Sequence, residues 1–105
     1  MAVSPKASEV STLTTSISTI ATADSKAMIT AITLTNRGSD SSDVTVYIVP
    51  DGETAGDGHI VFYSTLESKD NVVIPPLGFI AEDTTVRAKS SASEVNAFVS
   101  LVEGF

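Results

Sequence analysis

The residues best placed to do chemistry crowd into one loop, PDGETAGDGH, where Asp51, Glu53 and Asp57 precede the single histidine, His59. Clustered carboxylate oxygens are what a hard cation such as calcium takes. Set on the calcium-loop template from Asp51, Gly56 falls at the turn glycine, but Ala55 occupies a ligand position and Phe62 the closing carboxylate. A solvated polar loop accounts for the run better. His59 is also the only base available to a serine nucleophile, with Asp51 or Asp57 to orient it. No G-x-S-x-G elbow exists to present such a serine, so an exposed histidine at a strand edge is the better reading.

Other polar groups fare no better as reaction centres. Asp83, Thr84 and Thr85 have the first two residues of the D-T-G of dimeric aspartic proteases, but Thr85 stands where the glycine must be. Arg37, Arg87 and Lys89 are too few and too mixed with acids to make a nucleic-acid stripe. Tyr47, Tyr63 and Phe98 together can floor a sugar site, although isolated aromatics more often pack in a core or an interface. No catalytic residue, cofactor or metal ligand is therefore assigned.

The elements that carry these residues are strands. In MITAITLTNRGSDSSDVTVYIVP, the stretch Met28 to Pro50, residues Met28, Ile32 and Leu34 share one face with Thr30, while Thr33 and Thr35 share the other. Val44, Val46 and Ile48 alternate in the same way with Thr45 and Tyr47. Period-two alternation marks a half-buried strand, and β-branched residues suit a pleated surface. The polar run Asn36 to Ser42 between them reads as a turn, so the stretch is expected to form a hairpin-like pair.

Along the rest of the chain, a thin strand runs from Leu13 to about Ala21, and Ile60 to Leu66 forms another that is apolar on both faces and expected to be covered on both. Val72 to Ile74 is stopped by Pro75 and Pro76, which cannot donate to a ladder. Leu77 to Ala81, Thr84 to Ser90 and Val95 to Val102 follow. In the last, Val95, Ala97, Val99 and Leu101 share a face, and Phe98 and Val102 put apolar surface on the opposite one, which calls for a partner. Seven or eight short strands with turn chemistry between them predict an all-β fold, a single antiparallel β-sandwich of immunoglobulin-like or jelly-roll type. Residues 1–12 form an N-terminal arm and 13–105 the sandwich domain.

At 105 residues the chain fits one domain. It has no cysteine, which rules out a disulfide framework and a thiolate site. Thirteen acidic against six basic residues leave a net charge of −7, which opposes a nucleic-acid partner. The start, MAVSPKASEV, has no apolar h-region and no run is long enough to span a bilayer, so a protein made in the cytoplasm, without a membrane partner, is expected.

The runs KAMITAITLTNRGSDSSDVTVYIVPDG and VVIPPLGFIAEDTTVRAKSSASEVNAFVSLVE resemble a family of small β-sandwich virion proteins of tailed bacteriophages. The shared order is an isoleucine-rich strand ending in asparagine (Ile29 to Asn36), a V-T-V-Y-I-V-P strand (Val44 to Pro50), a proline-adjacent apolar segment, a T-V-R-A-K-S strand and a closing V-N-x-x-V-S-x-V-E strand. The likeness covers about residues 17 to 103. It departs at Glu82 and Asp83, where many relatives carry a glycine turn. The resemblance implies a capsid decoration or cement protein on the outer surface of the virion, bound to the major capsid protein and stabilising the head. Small tail, neck or fibre adaptors belong to the same resemblance, and a carbohydrate-binding module is a more distant alternative. The expected protein interface comprises Val3 and Val10 of the arm with Leu13 just after it, pairing with a capsid strand edge, and Phe98 and Val102, mediating a homo-oligomer, most simply a trimer.

Overall fold

Alternating β-branched residues give strands, and the structure, a computed structural model describing residues 4–7, 10–92 and 94–105, contains ten of them. They are β1 (Ser4–Ala7), β2 (Ser11–Thr12), β3 (Ser18–Thr22), β4 (Ala27–Asn36), β5 (Ser42–Val49), β6 (Ile60–Leu66), β7 (Asn71–Ile74), β8 (Gly78–Ile80), β9 (Thr85–Ser90) and β10 (Val95–Glu103). A 3₁₀ turn, Asp57–His59, sits in the long loop before β6. The larger sheet runs β1-β10-β4-β7, with β2 also on β10 and β8 also on β4. The smaller runs β3-β9-β5-β6, and every pairing in both sheets is antiparallel.

Strands β1 and β2 are one interrupted strand along β10, and β7 and β8 one interrupted strand along β4. Two four-membered sheets result, and all consecutive strands except the β5–β6 pair lie in opposite sheets. That is the jelly-roll order, so of the two sandwich types expected from the sequence the chain adopts this one. The interruption of β7 and β8 falls at Pro75 and Pro76, as their lack of an N–H donor requires.

The topology corrects the hairpin expected between Met28 and Pro50. Strands β4 and β5 do not pair: β4 belongs to the larger sheet and β5 to the smaller, and the polar run 37–41 carries the chain across the sandwich. Alternation specifies which face of a strand is buried but not which sheet the strand joins. Asn36 fixes the crossing. Its buried side-chain amide donates to the carbonyls of Asp40 at 2.9 Å, Leu66 at 3.1 Å and Glu67 at 3.2 Å, and its Oδ1 accepts the Gly38 N–H at 2.9 Å. One side chain thereby ties the end of β4 to the crossing loop and to the end of β6.

Inward-facing aliphatic residues fill the space between the sheets, among them Ile29, Ile32 and Leu34 of β4, Val44 and Val46 of β5, Val86 of β9 and Val95, Val99 and Leu101 of β10. The β4 series contains a phase slip. Ser100 pairs with Ala31 but Leu101 with Ile29, so Thr30 is an extra residue in β4, and its hydroxyl donates to the Ser100 carbonyl at 3.1 Å. A one-residue bulge exchanges the faces on either side of it. Ile29, rather than Met28, therefore joins Ile32 and Leu34 inside, and Met28 turns outward.

Two further expectations change. The strand expected from Leu13 to Ala21 begins only at Ser18, because residues 13–17 cross between sheets: the Leu13 N–H donates to Val95 of the larger sheet, while Thr14 accepts from Ser90 of the smaller, each at 2.8 Å. Strand β6 is not covered on both faces. It is one of the two edges of the smaller sheet, and Ile60, Val61 and Tyr63 are exposed. At the Glu82-Asp83 turn, Asp83 adopts a φ of 67°, the left-handed conformation that glycine takes most freely. Aspartate is among the few other residues that tolerate it.

Replacing Asn36 by Ala takes the amide from the buried Leu66 carbonyl and the acceptor from the Gly38 N–H, while the Glu67 carbonyl keeps the Asp70 N–H, and should lower stability by about 2 kcal/mol, read as a shift of the urea midpoint at unchanged slope. Asn36→Asp, which puts a carboxylate against the same three carbonyls, should cost more.

Candidate functional site

The outer face of the larger sheet is built by the strand registers. Pro5 pairs with Val102, Val102 with Met28, and Met28 with Phe79. These four apolar residues form one row across four strands, three interstrand spacings or about 14 Å wide. Two rungs along, Phe98 pairs with Thr33 and Thr33 with the exposed Val73. Val10 closes the far end, where it and Phe98 line a groove of about 240 Å³ with Thr33, Thr35 and Asn96. Val10 is 61% exposed and Phe79 57%, while Met28, Phe98 and Val102 are half-buried.

Phe79 anchors one corner. Its ring meets that of Phe105 edge to face, with centroids 4.9 Å apart and planes at 86°, and the Lys26 ammonium lies 5.3 Å from its centre. Such contacts hold an exposed aromatic in place at a surface. An apolar row on an outward face, here interrupted by Thr33 and Ser100 before Phe98 and Val73 are reached, is one mark of a protein-binding surface.

The expected interface residues are thus partly assembled and partly dispersed. Val10, Phe98 and Val102 do share this face. Leu13 does not: it is completely buried in the core between the sheets and cannot meet a partner. Val3 lies outside the described residues. Of the arm, β1 and β2 are spent in pairing with β10 of the same chain, antiparallel from Ser4↔Glu103 to Ala97↔Ser11, so these residues form the edge of the larger sheet rather than a free extension. Sequence reasoning missed Phe79, Val73 and Met28. Phe79 was legible as the residue between Gly78 and the inward Ile80 of a short strand, whereas Met28 depends on the bulge.

The acidic loop is braced internally. The His59 Nδ1 accepts the Gly56 N–H at 3.1 Å, which leaves the proton of the neutral ring on Nε2, and Nε2 donates to Glu53 at 2.9 Å. Both ring nitrogens are occupied in holding the loop, and the orienting carboxylate is Glu53 instead of Asp51 or Asp57. Among the described residues no group of three or more His, Asp or Glu side chains converges on a metal-sized site. The three aromatics considered for a sugar site are split: Tyr47 and Tyr63 line one cleft on the smaller sheet, and Phe98 lies on the larger.

The strand order and the two chemically distinct outer faces define a jelly-roll β-sandwich. No family model matches the chain, and no curated protein does. Among solved structures it is similar to a chain from Bacillus endospore appendages, described as a novel family of disulfide-linked pili, with a TM-score of 0.57 at 12% identity over 95% of this chain and 85% of that one. That likeness is one of fold. Weaker matches are to RmlC from Streptococcus suis in complex with dTDP-D-xylose (TM-score 0.35, 12% identity, 98% of this chain and 44% of that one) and to the VP2 subviral particle of infectious bursal disease virus (0.36, 13%, 96% and 32%). The chain spans less than half the length of either.

The bulge makes the face assignment testable with two neighbouring substitutions. Ile29→Ala should cost about 3 kcal/mol as a core truncation, and Met28→Ala no more than about 1, compared by urea denaturation. The reverse order would place the phase slip elsewhere.

Proposed function

We propose that this chain is a structural subunit of a virion, a capsid decoration or cement protein that seats the outer face of its larger sheet on the major capsid protein. The observation that carries the reading is the row Pro5, Val102, Met28 and Phe79 with Phe98, Val73 and Val10 beside it, a broad outward apolar surface on a small acidic protein. The sequence resemblance to small phage virion proteins supports it, as does the use of His59 as a loop brace, which removes the one candidate general base. Burial of apolar area at about 25 cal/mol per Å² supplies the attraction. A subunit that binds only the assembled lattice stabilises it by mass action, about 2.7 kcal/mol per site at a hundredfold excess over Kd. Self-association is the alternative use of Phe98 and Val102, which would then join three copies around a lattice three-fold.

A second reading, a tail, neck or fibre subunit, is favoured by the free β6 edge, where the exposed Ile60, Val61 and Tyr63 accompany backbone groups able to accept another strand. Copy number separates the two.

Quantitative mass spectrometry of purified virions should find hundreds of copies per particle, lost when Phe79→Asp and Val102→Asp are combined in a chain that still folds. A few copies per particle would favour the tail or fibre subunit, and absence from particles would overturn both readings.

A further inference from the structure

The outer face of the smaller sheet carries a different site. A cavity of about 390 Å³ opens there above β5 and β9, bounded by Tyr63 and Ile60 of β6 and by Asp57 of the 3₁₀ turn. Its volume lies within the range of small-molecule sites. Thr45 and Tyr47, only 4% and 3% exposed, line it from β5. Neither hydroxyl has a hydrogen-bond partner among the described residues, and neither is sealed from solvent. Two side chains so nearly buried, yet with their polar ends left open to a cavity, are arranged to meet polar groups that come from outside.

The surrounding groups narrow the class of ligand. Tyr63 is 64% exposed and places an aromatic ring at the rim. Asp43 lines the wall, with one carboxylate oxygen accepting the Thr65 hydroxyl at 2.6 Å and the other remaining for a donor. Lys89 also lines the wall and makes no ion pair among the described residues. Carboxylates at Asp43 and Asp57 against one ammonium disfavour an anionic ligand. A ring whose equatorial hydroxyls can both donate and accept, and whose C–H face can lie on an aromatic, matches this set of groups.

We propose that this cavity binds a neutral hexopyranoside, with Tyr63 stacking on the sugar and Thr45, Tyr47, Asp43 and Lys89 hydrogen-bonding its hydroxyls. The site is independent of the virion reading, because it opens on the sheet opposite the apolar face and is complete in a single copy. A subunit seated by its larger sheet presents it outward.

The test is an amide NMR titration of the full chain with the methyl pyranosides of glucose, galactose and mannose and with N-acetylglucosamine, alongside glucuronate. Saturable shifts centred on Thr45, Tyr47, Tyr63 and Lys89 are expected with at least one neutral sugar. Tyr63→Ala, at an exposed position of an edge strand, should weaken that binding by about tenfold or more. Tyr47→Phe should weaken it severalfold with the melting temperature unchanged, and Phe98→Ala on the other sheet should leave it intact. Absence of saturable shifts with any neutral sugar, binding confined to glucuronate, or binding indifferent to Tyr63→Ala would overturn the proposal.

Discussion

The architecture depends on the crossing held by Asn36. A strand as apolar on its inner face as β4 pairs readily with whatever follows it, and a polar run between two alternating segments ordinarily makes a hairpin. Here the Asn36 amide spans three backbone carbonyls, two of them at the end of β6, and so draws the crossing loop against the far sheet. Of these carbonyls that of Leu66 is buried, where a hydrogen-bond donor counts most. Once β5 is committed to the smaller sheet, β6 becomes its hairpin partner, and β7 and β8 must return to β4. The closing strand β10 then lies between β1 and β4.

The same topology gives the sandwich two unlike exteriors. The larger sheet presents apolar rows, because the Thr30 bulge turns Met28 out beside Val102 and Phe79. The smaller sheet also contains a bulge: Val46 pairs with Phe62 but Tyr47 with Ile60, which makes Val61 the extra residue of β6. That slip brings Ile60 beside Tyr47 at the wall of the polar cleft. One outer face thus carries an apolar row and the other a polar cleft.

Much of this was legible in the sequence, and the limits have physical causes. The all-β class, the stops at Pro75 and Pro76, the inward series Val95, Ala97, Val99 and Leu101, and the outward Phe98 and Val102 follow from alternation and turn chemistry. The assignment of β4 and β5 to different sheets does not, since an alternating strand looks the same wherever it pairs. Bulges are equally silent: Thr30 is one β-branched residue among several, and nothing in its type announces that it is the extra one. Leu13 was misplaced because its polar neighbours resemble an exposed arm, whereas the crossing between β2 and β3 drives it into the core. Tyr47 and Tyr63 could be named as sugar-binding candidates from their type, but their separation from Phe98 needed the strand register.

The most direct test of the central claim, that the apolar face of the larger sheet is the assembly surface, is hydroxyl-radical footprinting of this protein free and in purified particles. The account expects Met28, Phe79 and Phe98 to be protected in the particle while Tyr63 keeps its free-protein reactivity. Protection of Tyr63 and Ile60 with Met28 and Phe79 still reactive would contradict it and assign assembly to the β6 edge instead.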